Sequence, residues 1–420
     1  MIEVFRKRKA QMLLCVLLLV EGIALVYYES LIIAWEENDI SLRIRSLWND
    51  EDRSVYIGKK KILLWTQFFE EDWLLRGETG NFDHCPMYNN CIITRSRDLV
   101  NIKNFNAILF NANEMNSSDL PRSRSPRQKY VFVNHENPKN LPLADSYFEG
   151  YFNVTMTYRL DSDIPWPYYI LRNMHTQEMV APLYTVEWIK PTYENLVWNF
   201  DLRFNGKKKT AAWIVSDCDT HGKRELLVEE LEEFIQVDRI GKCAEEVIPD
   251  CIKSADNCFA EVIEPNYFFY FSFENTLCQD YVTGHFFNAL SYDVIPVVYG
   301  GANYSFFAPP HSYIDVLDFN STEELALYLT DLSQNREEYL KYFWWKRIYT
   351  VHTPRHWTLC KICEQINIRR PHIKTYSSLN TWYKKDKCPI QDALNGTKHA
   401  TKDFFLIEIF IVLLIGIKVV

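Results

Sequence analysis

The chain has 420 residues, 47% apolar and 24% charged, the balance of a folded protein with room for two or three domains. Disorder over most of its length is excluded, and only 13 glycines exclude collagen-like or glycine-rich structure. With 46 basic against 55 acidic residues the net charge is −9, and Arg6–Lys9 is its longest basic run, which argues against a nucleic-acid partner.

Arg6–Lys9 is followed by the apolar run Met12–Val20 and, past Glu21, by Gly22–Tyr28. Positive charge before an apolar run keeps the N-terminus cytosolic. Residues 1–9 therefore read as a cytosolic tail, 10–28 as a transmembrane signal anchor and 29–60 as a polar stem, with the rest luminal. A cleaved signal peptide is the rival reading, but no small-x-small cleavage site follows the run.

From Lys61 short apolar runs alternate with amphipathic segments. Lys61–Trp65, Ala107–Phe110, Tyr130–Asn134 and Tyr151–Thr155 read as strands, and Met115–Gln128 as a loop. These form one α/β domain over 61–200. A second, over 207–348, starts with strand Ala211–Val215, turn Ser216–Gly222 and a helix over Lys223–Ile235. It continues with strand Tyr267–Phe273, a helix over Thr283–Leu290, strand Val294–Gly301, and helices over Thr322–Leu332 and Arg336–Ile348. Such alternation implies doubly wound parallel sheets, with ligands at the carboxyl ends of the strands. Residues 349–403 form a cysteine-bearing C-terminal segment. The apolar tail Phe404–Val420 is short for a membrane span and stays unassigned.

Of 11 cysteines, Cys15 lies in the apolar N-terminal stretch. The remaining even number suits disulfides in an oxidising compartment. Glycosylation sequons at Asn116, Asn153, Asn303, Asn320 and Asn395 agree with that compartment. Cys360 and Cys363 form a CxxC that lacks the partners of a zinc site. Disulfide bonding is the better reading, with Cys85 and Cys91 as candidate partners, although spacing does not give the connectivity.

Each strand-to-helix turn offers a helix N-terminus that favours an anion. Lys223 and Arg224 follow the first such turn; Tyr281, Thr283 and His285 surround the second. Together they suggest a bound diphosphate. Glu136 follows a strand and precedes Pro138, where a general base could sit. Asp161-Ser162-Asp163 has the pattern of a divalent-cation site, but salt bridging or capping explains it better. Gly300-Gly301 reads as a backbone requirement.

The runs Phe152–Tyr168, Phe273–Leu290 and Asp293–Ile314, with Lys341–Lys346 and the late CxxC, resemble the α1,3-fucosyltransferase family. The resemblance implies a GT-B fold in a Golgi type II layout, with an acceptor domain before a GDP-fucose domain and inverting transfer without a metal or other cofactor. Glu136 matches the family's base, Arg224 its phosphate-binding arginine, and Asn275 and Tyr281 its donor-site residues. The family's Y-x-T-E-K reads Tyr281-Val282-Thr283-Gly284-His285, so a carboxylate facing the fucose and a lysine facing the diphosphate are replaced. If His285 stands in for that lysine, it offsets charge only when protonated, and donor use should improve as pH falls. The resemblance further implies a glycoprotein N-glycan acceptor, with its core GlcNAc favoured. The alternative is a luminal glycan- or nucleotide-binding protein that keeps the fold and has lost turnover.

Overall fold

The computed structural model describes residues 57–68, 82–141, 148–190, 203–244, 251, 255–368, 375–383 and 388. The expected anchor, nearly all of the stem, the C-terminal tail and Asn395 lie outside them. Among the described residues no helix is long and apolar enough to cross a membrane. The chain divides into two compact units, Met1–Lys59 and Lys60–Val420, and every described strand and helix belongs to the second.

Two parallel sheets carry this unit, as the alternating pattern predicts. The first has the order β2-β1-β3-β4-β5-β6, with β1 Lys60–Leu64, β2 Cys91–Thr94, β3 Ala107–Asn111, β4 Lys129–Asn134, β5 Val154–Thr157 and β6 Ile164–Pro165. The second has the order β10-β9-β11-β12-β13, with β9 Lys209–Ile214, β10 Val237–Ile240, β11 Tyr267–Phe273, β12 Ile295–Tyr299 and β13 Ile314–Asp315. A small antiparallel sheet joins β7 Ile170–Asn173 to β8 Met179–Ala181 and β14 Tyr349–His352.

The first sheet is buried on both faces, which is why its strands read as unbroken apolar runs. Alternate residues split between two cores. Leu109, Val131, Val133 and Met156 pack with Leu359, Ile362 and Ile366 of helix α5, Arg355–Asn367. Phe110, Tyr130 and Phe132 pack with Leu379 and Tyr383 of helix α6, Leu379–Tyr383. These late helices cover the sheet, whereas its own described crossovers hold only the 3-10 turns Ile102–Asn104 and Ala112–Glu114.

The second sheet is flanked in the expected way. Helices α1 (Arg224–Glu232) and α3 (Thr322–Gln334) cover one face through Leu227, Leu231, Leu325 and Leu329. Helix α2 (Gly284–Ser291) packs Phe286, Phe287 and Leu290 into a neighbouring core. The helix expected over Arg336–Ile348 stops early: α4 spans Arg336–Lys341, and a 3-10 turn covers Trp344–Arg347. Phe343 packs into the core of the second sheet and Trp344 and Trp345 into the neighbouring core, so the chain turns between them. Gly300 and Gly301 close β12 as the sequence suggests: a Cβ at Gly301 would meet the Leu277 carbonyl carbon at 2.5 Å.

Candidate active site

The carboxyl ends of β4 and β11 meet. Asn137 Nδ2 donates to Asn275 Oδ1 at 3.4 Å, and the Tyr168 and Tyr281 rings pack edge to face with centroids 6.3 Å apart. After β4, Asn134 builds the turn. Its side chain accepts from the Glu136 amide and donates to the Glu136 carbonyl, both at 3.1 Å, and the Tyr383 hydroxyl donates to that same carbonyl. His135 lies between the Trp166 and Tyr168 rings, with centroids 4.0 and 3.9 Å away. Burial pushes its pKa down to about 3, so the ring is uncharged. The Glu136 backbone is thus held from several sides. Its half-buried carboxylate has a long contact from Asn140 Nδ2, 3.5 Å, and stays accessible.

Across the cleft, the expected Lys223–Arg224 pair is split. Lys223 takes a left-handed backbone, φ 52°, stays exposed and pairs with Asp219 at 2.6 Å. Arg224 turns inward at the start of α1, 5% exposed, with one guanidinium nitrogen on the Phe273 carbonyl. Its guanidinium carbon stands 5.6 Å from the Trp213 ring, and its Nε has no hydrogen-bond partner. Burial pulls the Arg224 pKa down, against the nearby negative charge of Glu274 and Asp217. Gly222 donates its amide to the Asn275 carbonyl at 2.8 Å, and a Cβ there would stand 3.2 Å from that oxygen.

Glu274, which the sequence reading passes over, lies beneath α2. It is 1% exposed, and its carboxylate accepts from the Thr283 amide at 2.7 Å. Burial pushes its pKa up to about 7, against the Thr283 bonds and the Arg224 charge. The N-cap amide of α2 therefore already holds a carboxylate, which weakens that helix end as an anion site. The signal was in the run Phe273-Glu274-Asn275: a carboxylate beside an apolar strand end needs donors if it is buried.

His285 departs from expectation. Its Nδ1 pairs with the Tyr270 hydroxyl at 2.9 Å, and burial followed by the Arg224 charge lowers its pKa to about 4. In the fold without a bound diphosphate it is therefore neutral from pH 6 to 7.5. Gly284 is partly accessible, and a Cβ on it would meet the Tyr169 ring at 3.6 Å, an ordinary contact. Tyr281 is 3% exposed, and burial raises the pKa of its hydroxyl.

Two family profiles match the chain: "Fucosyltransferase, N-terminal" over residues 58–169 and "Glycosyltransferase family 10 (fucosyltransferase) C-term" over residues 204–382. The chain belongs to glycosyltransferase family 10, the fucosyltransferases. It is 39% identical over 351 residues to α-(1,3)-fucosyltransferase C of Drosophila melanogaster, covering 80% of each chain. It is 31% identical over 343 residues to 4-galactosyl-N-acetylglucosaminide 3-α-L-fucosyltransferase 9 of Homo sapiens, covering 79% of this chain and 84% of that one. A crystal structure of an α1,3-fucosyltransferase with GDP-fucose is 16% identical, with a TM-score of 0.46, over 74% of this chain and 91% of that one.

In this fucosyltransferase the Asp161-Ser162-Asp163 carboxylates are engaged within the fold. Asp161 pairs with buried Arg159, whose Nε is 2.9 Å from Oδ1. Asp163 accepts from the Thr155 amide at 3.1 Å and the Tyr376 hydroxyl at 2.7 Å. The candidate cysteines form Cys85–Cys360 and Cys91–Cys363, and three further disulfides join Cys218–Cys243, Cys251–Cys258 and Cys278–Cys388. Asn116, Asn303 and Asn320 are exposed. Asn153 is not available as a glycan acceptor in the folded chain: it is 5% exposed, and its amide bonds the Tyr130 amide and the Gln128 carbonyl.

Proposed function

We propose that this fucosyltransferase moves fucose from GDP-fucose in α1,3 linkage onto a glycoprotein glycan, with the core GlcNAc of an N-glycan as acceptor. The observation that carries the reading is the Asn137–Asn275 contact, which brings the Glu136 turn against the turn that also touches Gly222 beside Arg224. The turn that carries the accessible Glu136 carboxylate thus meets, through Asn275, the turn that precedes buried Arg224, at the junction of two parallel sheets, in keeping with a GT-B enzyme. The similar proteins of Drosophila melanogaster and Homo sapiens are themselves named as 3-α-fucosyltransferases, which supports the α1,3 linkage.

In this reading Glu136 takes the proton of an acceptor hydroxyl as its oxygen attacks the anomeric carbon of fucose. The bond from that carbon to the β-phosphate oxygen breaks, and GDP leaves with the electron pair. Arg224 and the α1 N-terminus meet the growing diphosphate charge, and neither a metal nor another cofactor is needed. The basic and apolar sequence over 6–28 supports a single-pass type II anchor in the Golgi membrane, with this site in the lumen.

Gly284 and neutral His285 favour a second reading, a glycan- or nucleotide-binding protein without turnover. Purified full-length protein in detergent, assayed with GDP-fucose against core-type and antennary N-glycans, separates the two. The expected result is transfer to a core acceptor that survives EDTA. GDP binding without transfer to any acceptor would favour the second reading.

A further inference from the structure

Helix α5 has a second role besides covering the first sheet. Trp357, Lys361, Glu364 and Gln365 follow helical spacing on the side away from its core residues. They form one wall of a pocket of about 460 Å³, whose other wall includes Pro165 and Tyr184. The volume is that of a small-ligand site. Lys129 at the start of β4 bonds the Gln365 carbonyl, and the Cys85–Cys360 and Cys91–Cys363 disulfides anchor the helix to the segment around β2. The wall is therefore held along its middle and near its C-terminal end.

Three features of the pocket point to a ligand. Gln365 is 5% exposed, yet its Nε2 donor is buried without a partner, a position that a ligand hydroxyl would satisfy. The rest of the lining mixes ring surface, from Trp357, Tyr184 and Pro165, with the Lys361–Glu364 pair at 2.8 Å. A pyranose has the same two characters, flat C–H faces and a rim of hydroxyls. Finally, the pocket adjoins the active-site edge of the sheet. Asn134 pairs with Thr157 and Thr157 with Pro165. Pro165 is thus two strand spacings, about 10 Å, from the strand end that leads to Glu136. Trp166, the next residue, stacks on His135 beside Glu136.

We infer that this pocket is an acceptor subsite, which holds a sugar of the acceptor glycan beyond the one whose hydroxyl faces Glu136. The inference rests on the reading of the acceptor as a glycan, and it adds where the rest of that glycan lies.

The test uses full-length protein with N,N′-diacetylchitobiosyl-asparagine as a short core acceptor and a biantennary N-glycan on asparagine as a long one. Trp357→Ala and Gln365→Leu should each lower kcat/KM for the long acceptor about tenfold relative to the short one, through KM. Trp357→Phe should restore the ratio. Equal losses on both acceptors in variants of unchanged thermal midpoint, or no loss on the long one, would overturn the subsite. Saturation-transfer NMR with the biantennary glycan gives an arm that does not depend on turnover: signals from the distal sugars should appear with wild type and vanish with Trp357→Ala. Lack of transfer to every acceptor would remove the transferase reading alone, and distal-sugar signals that persist in Trp357→Ala would remove the subsite alone.

Discussion

Glu136 and Glu274 make an instructive pair. Each follows the carboxyl end of a buried parallel strand, and the two turns touch through Asn137 and Asn275. Glu136 has a tightly held backbone and an accessible carboxylate. Glu274 has its carboxylate sealed under α2, bonded to the Thr283 amide. The same residue type in the same kind of position can thus serve chemistry or construction. What separates them is whether the backbone or the carboxylate takes the surrounding hydrogen bonds.

The strongest way to break this contrast is Glu136→Gln. Transfer should fall about 100-fold or more, with thermal midpoint and GDP affinity close to wild type. Turnover at the wild-type rate would make Glu136 an ordinary loop charge.

Glu274→Gln tests the other member. The folded-state pKa of about 7 lies above the ordinary 4.5, so the folded protein keeps a proton that the unfolded chain has lost. The contribution of Glu274 to stability therefore declines as pH rises from about 4.5 to 7. Glutamine keeps the acceptor for the Thr283 amide and removes the charge. The stability difference between variant and wild type should shift in favour of the variant by about 3 kcal/mol across that window in denaturant titrations. His135 and His285 pull in the opposite direction, since their pKa values are lowered. They are common to both proteins and cancel in the difference. A difference that stays flat with pH would show that Glu274 is ionised throughout.

A smaller effect is expected from Gly284→Glu, for which the Tyr169 ring leaves ordinary contact distance. A carboxylate there should raise fucose transfer about tenfold by stabilising the developing positive charge on the sugar. No gain would place that charge elsewhere. The smallest effect belongs to His285→Asn: the KM for GDP-fucose should show the same dependence from pH 6 to 7.5 as in wild type, because His285 is already neutral there. A KM that improves towards pH 6 in wild type alone would show that the bound diphosphate protonates the ring.

Most of the second sheet was legible because its strands and helices alternate with clear periods: Ala211–Val215, Tyr267–Phe273 and Val294–Gly301 fall on β9, β11 and β12. The first sheet was legible as strands but not as a packed unit. Its cover comes from α5 and α6, far later in the chain, and no local pattern announces a long-range partner. At the site, the strand-to-turn pattern drew attention to Glu136 and Arg224, while the split of Lys223 from Arg224 depends on one left-handed residue. Glu274 was missed because charge in a sequence is formal, and burial decides whether it is present.

The Cys85–Cys360 and Cys91–Cys363 bonds span 275 and 272 residues, and this has a consequence in time. A nascent chain grows at about 5–20 residues per second, so Cys85 and Cys91 wait roughly 15–55 s for their partners to be made. Throughout that interval the sheet face destined for Leu359, Ile362 and Ile366 has no α5 to cover it. The half of the protein synthesised first is therefore among the last to finish folding. A ribosome that stops short of residue 355 releases a chain in which Cys85 and Cys91 lack their partners beside an open apolar surface.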